Sequence, residues 1–117
     1  MAKVKIKFLY KPTCTSCRKA KALLEGKGCE LELRDLAKQR LSAAELDALI
    51  GKSDYRKFLN SRNELYRKRR MGKKPPSRAE ALKLMAAEPN LIRRPVVRRG
   101  RAMVLGYDEK ALEKIAK

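Results

Sequence analysis

Apolar and polar residues alternate with a period of two near the start of the chain: Val4, Ile6 and Phe8 are interleaved with Lys3, Lys5 and Lys7. That is the pattern of a half-buried strand, predicted over residues 3–9. Lys11-Pro12-Thr13 breaks it, and the period then changes to that of a helix. Cys17, Ala20, Leu23 and Leu24 fall on one face with Lys and Arg on the other, and Gly26 and Gly28 mark the stop. Leu31 and Leu33 alternate with Glu30, Glu32 and Arg34, giving a second strand near 29–35. Strand, helix and strand within about 35 residues predict two parallel strands joined by a right-handed crossover.

The middle of the chain reads as helical. Ser42 with Glu45 is a capping-box pair, followed by Leu46, Leu49 and Ile50 at helical spacing and stopped by Gly51. Tyr55, Phe58 and Leu59 suggest a short helix, and Asn60-Ser61 a break and fresh N-cap before Leu65 and Tyr66. Arg67-Lys68-Arg69-Arg70, Gly72 and Lys73-Lys74-Pro75-Pro76 predict a basic, exposed loop. Ser77 and Glu80 form a second capping-box pair; Leu82, Met85 and Ala86 line one face of the helix behind it, and Pro89 ends it. Pro95-Val96-Val97 begins a third strand, Arg99-Gly100 a tight turn, and Ala102–Leu105 a fourth strand. Asp108 can cap a last helix carrying Leu112 and Ile115. The expected order is β-α-β, a helical insertion at about 40–90, then β-β-α, an α/β chain forming a single domain over 1–117.

Composition narrows the partners. With 117 residues, 44% of them apolar, the chain can bury one modest core, filled mostly by aliphatic residues because there are two Phe, four Tyr and no Trp. The net charge of +18 favours acidic partners such as nucleic acid, anionic lipid or an acidic protein, and is equally what a solvated basic surface would give. No basic motif is interleaved with aromatics, so non-specific nucleic-acid binding through residues 67–74 is expected only alongside another role. No apolar run approaches about 18 residues, which argues against a membrane span. The first ten residues lack the apolar core of a signal peptide. Three Cys at close spacing do not make a secreted disulfide framework, so the cytoplasm is the expected compartment.

Chemistry concentrates at Cys14-Thr15-Ser16-Cys17. Cys14 should stand where a strand gives way to a helix. A helix start offers free N–H donors and a positive dipole end, and Lys11, Arg18 and Lys19 add positive charge; all favour a Cys14 thiolate, the nucleophilic form. Cys17 lies one turn on, close enough to close a disulfide. The alternatives are a pair of structural thiols or half a zinc site. Zinc needs about four ligands, and the chain has no His and only Cys29 as a further thiol, so no metal site is expected. Cys29, at the opening of the second strand, reads as a small buried hydrophobe.

Two arginines add to this picture. A proline entering the third strand of such an architecture is commonly cis, which would turn Arg94 towards Cys14. Arg62 could approach from the inserted helices. A guanidinium is a fork suited to an oxyanion, although with 31 Lys and Arg present any single Arg is also read simply as surface.

Together, Cys14-Thr15-Ser16-Cys17-Arg18-Lys19-Ala20, Arg34-Asp35-Leu36, Leu41-Ser42, Asn60-Ser61-Arg62, Arg93-Arg94-Pro95-Val96-Val97 and Gly106-Tyr107-Asp108-Glu109 resemble the arsenate reductase (ArsC)/Spx family, in family order and over nearly the whole chain. The resemblance implies a thioredoxin-like fold with a four-stranded mixed sheet and a helical insertion. It implies Cys14 as nucleophile and Arg62 and Arg94 as two of three oxyanion-binding arginines, with Cys17 or an external thiol resolving the intermediate. The third falls near Gly106-Tyr107, where this chain has no Arg. It also implies a thiol oxidoreductase that binds no cofactor and takes electrons from glutathione/glutaredoxin or thioredoxin, with arsenate or a thiol as substrate. The Spx side of the resemblance implies a redox-switched transcriptional regulator contacting the RNA polymerase α subunit.

Overall fold

The computed structural model describes residues 4–117, so Lys3, where the first strand is predicted to begin, lies outside the described residues. The chain divides into two compact units. One runs up to Lys38 and resumes at Arg94–Lys117; the other is Gln39–Arg93.

The first unit carries all four strands found among the described residues: β1 (Lys5–Tyr10), β2 (Glu30–Asp35), β3 (Val96–Arg99) and β4 (Ala102–Leu105). They form one mixed sheet in the order β2-β1-β3-β4, with β1 and β2 parallel and the other pairs antiparallel. The parallel pair requires a crossover, which α1 (Thr15–Gly26) supplies, while β3 and β4 need only the tight turn at Gly100 and Arg101. Gly100 takes φ +60 there, a conformation that costs a residue without Cβ nothing. The register sets Leu33, Phe8, Val97 and Val104 in one row across the sheet. On that face Ile6 and Phe8 pack with Cys17, Ala20 and Leu24 of α1 and with Leu112 and Ile115 of α5 (Glu109–Ile115). Each fully buried Leu, Ile or Phe among these contributes about 1.5–3 kcal/mol. Leu33 ends the row on the sheet edge and stays 44% exposed. Asp108 caps α5 by accepting the Ala111 N–H at 3.2 Å, and Arg99 donates to the carbonyls of Ile115 and Lys117, satisfying the far end of the same helix.

The second unit holds α2 (Ala43–Ile50), a 3-10 turn at Tyr55–Phe58, α3 (Glu64–Lys68), α4 (Arg78–Ala87) and a second 3-10 turn at Pro89–Leu91. Leu46, Ile50, Phe58, Met85, Leu91 and Ile92 are its largest fully buried side chains. The Ser42–Glu45 box forms in both directions, Glu45 N–H to Ser42 Oγ and Ser42 N–H to Glu45 Oε1, each 3.1 Å.

Three local expectations need correction. The N-cap of α3 is Asn63, whose Oδ1 accepts the Leu65 N–H at 2.8 Å; Asn60 instead closes an Asx turn on Arg62. Ser77 caps α4, but the Glu80 carboxylate turns to Arg69 at 3.0 Å rather than completing the box. The buried positions of α4 are Ala81 and Met85, with Leu82 and Ala86 half-buried.

Candidate active site

The turn after β1 is closed by the Cys14 N–H donating to the Lys11 carbonyl at 3.1 Å. Arg18 reaches back along it, Nε to the Pro12 carbonyl at 3.0 Å. Cys14 is left extended, with φ −84 and ψ 118, as the N-cap of α1; its own carbonyl accepts the first helical bond, from Arg18 N–H at 3.1 Å. Its side chain takes the place usually held by Ser, Thr, Asp or Asn, and Sγ accepts the Cys17 N–H at 3.4 Å. The first turn of α1 carries no acidic residue. The one sulfur aimed at the helix start is therefore an acceptor at its positive end, and Cys14 is partly open to solvent.

Cys17 is different in kind. It faces the core at 1% exposure. Burial disfavours its thiolate, and the hydrogen bond between its S–H and the Cys14 sulfur acts in the same direction. A backbone hydrogen bond at Lys11 and the charge of Arg94 oppose this, yet the Cys17 thiol is pushed up to about 12. Both cysteines are free thiols; the buried one holds its proton tightly, and the other is partly open to solvent.

Arg94 and Pro95 are joined by a cis peptide bond at the entrance to β3. Arg94 is half-buried, and its charge reaches Cys17. The Pro95 carbonyl accepts the N–H of Gly106 at 2.9 Å, which ties the loop after β4 to this entrance. Gly106 is buried with φ +76, and next to it Tyr107 stands 39% exposed, its ring 5.9 Å from Lys19 Nζ on α1. Such a cation over an exposed ring is worth about 0.5–1 kcal/mol. Lys19 and Tyr107 are 88 residues apart in sequence (107 − 19), and no periodicity connects them. The Gly-Tyr pair is the signal that marks the place.

Cys14, Cys17 and Arg94 thus belong to one unit, and Arg62 to the other. Arg62 is exposed; its N–H is held by Asn60 Oδ1 at 3.1 Å, and the Asn60 amide donates to the Asn90 carbonyl at 3.1 Å. Cys29 is buried in the sheet-and-helix core, its sulfur 3.9 Å from the Ala116 carbonyl. Among the described residues no three His, Cys, Asp or Glu side chains come together to hold a metal ion.

The model of the ArsC family matches residues 9–115. The chain belongs to the ArsC family. It is 37% identical over 110 residues to the uncharacterized protein YusI of Bacillus subtilis (strain 168), covering 91% of this chain and 93% of that one. It is 28% identical over 103 residues to the global transcriptional regulator Spx 2 of Lactococcus lactis subsp. lactis (strain IL1403), covering 86% of this chain and 78% of that one. The arsenate reductase of Vibrio cholerae superposes with a TM-score of 0.84 at 25% identity, covering 97% of this chain and 99% of the other. The mixed sheet is therefore the thioredoxin-like sheet of ArsC proteins, and this member has relatives of both the reductase and the Spx kind.

Proposed function

We propose that this ArsC-family protein is a thiol-dependent oxidoreductase in which Cys14 is the nucleophile and Cys17 the resolving thiol. The observation that carries the reading is the division of labour between the sulfurs. Cys14 is open and accepts at a helix start, and Cys17 is buried and keeps its proton. Cys14 attacks the substrate. Cys17 then gives up its proton and attacks the Cys14 sulfur, so the S–S bond forms as the bond to substrate breaks. Two thiols become one disulfide, and the substrate gains two electrons and two protons. With arsenate the products are arsenite and water; with a disulfide substrate, two thiols. A glutathione/glutaredoxin or thioredoxin system returns the electrons, and Arg94 binds the oxyanion. A reducing compartment such as the cytoplasm suits this cycle.

The test is arsenate-dependent NADPH oxidation with each reducing system, on wild type and Cys14→Ser. Turnover lost in Cys14→Ser is the expected result. If neither system supports turnover and peroxide yields no Cys14–Cys17 bridge, the reading fails.

A second reading, a redox-switched regulator binding the RNA polymerase α subunit, is favoured by the Spx relatives and by Gly106-Tyr107 carrying no Arg. Recovery of the α subunit with the oxidised or reduced protein, without arsenate turnover, would decide for it.

A further inference from the structure

The turn that follows α3 is a cation cluster that thiol chemistry does not use. Six of the eight residues 67–74 are Arg or Lys and none is acidic. The turn is built rather than slack. Met71 N–H donates to the Tyr66 carbonyl and Arg70 N–H to the Arg67 carbonyl, both at 3.1 Å, the paired bonds that close a helix on a left-handed residue. Glycine is the usual occupant of that left-handed place, and here it is Arg70, with φ +51. The Arg70 carbonyl then accepts from Lys73 N–H at 3.0 Å and Lys74 N–H at 2.8 Å. Met71 is 2% exposed and pins the turn from inside. Holding a side chain with a Cβ in that disfavoured conformation costs energy that the bonds of the turn offset.

The cations are not consumed locally. Lys68 pairs with Glu64 at 3.5 Å and Arg69 with Glu80 at 3.0 Å. Arg67, Arg70, Lys73 and Lys74 are exposed and have no acidic partner among the described residues.

We propose that this turn is a phosphate-contacting site through which the protein holds duplex nucleic acid without reading its sequence. Four positive side chains on one fixed turn match a repeated line of phosphates, and guanidinium groups take phosphate oxygens two at a time. The charge of +18 adds long-range attraction. A membrane surface would be met by apolar side chains beside the cations, but the apolar side chain of this turn, Met71, is buried. An acidic protein partner calls for an apolar contact centre, which this turn does not offer.

The experiment is fluorescence anisotropy with a labelled random duplex of about 20 base pairs, from about 50 to 200 mM salt. Wild type is compared with Arg67→Gln/Arg70→Gly/Lys73→Gln/Lys74→Gln, in which glycine takes the left-handed position and protects folding. A second variant, Lys27→Gln/Lys38→Gln/Lys110→Gln/Lys117→Gln, removes the same charge elsewhere. Four phosphate contacts predict a slope of log K against log salt steeper by about 3.6 in wild type than in the turn variant, and about 100-fold or greater weakening in that variant at low salt. The control variant loses under about 10-fold, through the long-range field alone. Cys14→Ser binds as wild type does, so this site and the thiol reading stand or fall separately. The proposal is overturned by undetectable duplex binding at low salt or by equal losses in the two charge variants. Tighter binding, at equal charge, to polyglutamate or to phosphatidylglycerol vesicles, lost in the turn variant, overturns it as well.

Discussion

At the scale of single residues, the two thiols of one short motif have opposite surroundings. Cys14 takes a cap position and half-faces solvent; Cys17, three residues on, points into the core. Iodoacetamide at neutral pH is therefore expected to modify Cys14 in the native protein and leave Cys17 intact, as peptide mass mapping would read; equal labelling of both would contradict the assigned roles. The sign of the Cys17 shift gives a second prediction. Its proton is held more tightly in the folded chain than in the unfolded one, whose thiol ionises near its ordinary value of 9.0. The stabilisation is present in full below pH 9.0 and is lost as pH rises towards about 12, because only the unfolded chain releases the proton. Urea unfolding from pH 8 to 11 should show a shallower alkaline decline in Cys17→Ala than in wild type. Cys14 at the strand-to-helix break was legible, since Lys11-Pro12-Thr13 ends one period and the next begins at the motif. The strength of the Cys17 proton affinity was not, because it depends on what the rest of the core places around that sulfur.

At the scale of elements, local rules held where a residue's partners lie within four positions and failed where a distant side chain competes. Ser42 and Glu45 satisfy one another, and Ser42→Ala is expected to cost about 1 kcal/mol in urea unfolding. Ser77 and Glu80 have the same spacing, but Arg69 draws the Glu80 carboxylate away. Glu80→Ala thus removes an exposed ion pair and should cost under about 1 kcal/mol. Strand limits shifted by one or two residues, while in β1 the alternation that set the inward face carried over: Ile6 and Phe8 are buried, and Lys5 and Lys7 exposed; in β2 it did not hold at Leu33, which the sheet edge leaves exposed. Phe8 sits inside the cross-sheet row, so Phe8→Ala should cost about 3–5 kcal/mol in urea unfolding. The end of α3 shows what periodicity misses. A basic, exposed loop was expected over its cations, yet Met71 in their midst is buried and a left-handed arginine stops the helix.

At the scale of the whole molecule, the charge of +18 puts self-repulsion into the folded state. Added salt screens it over about 10 Å at 0.1 M, so the melting temperature is expected to rise between about 0.01 and 0.3 M NaCl before levelling; a flat profile would mean the charges are already too far apart to matter. No helix among the described residues is long and apolar enough to cross a membrane. By itself the sequence determined the order of strands and helices, the inward faces of β1 and α1, and the thiol motif at a helix start. These depend on hydrophobic period, turn residues and caps, which act over a few positions. Only the tertiary structure decided that β1 lies between β2 and β3, that the Phe8 row crosses four strands, that Lys19 meets Tyr107, and that Arg94 acts on Cys17. Each of those joins residues far apart in sequence, and such pairings are fixed by how the buried faces close on one another rather than by any local preference.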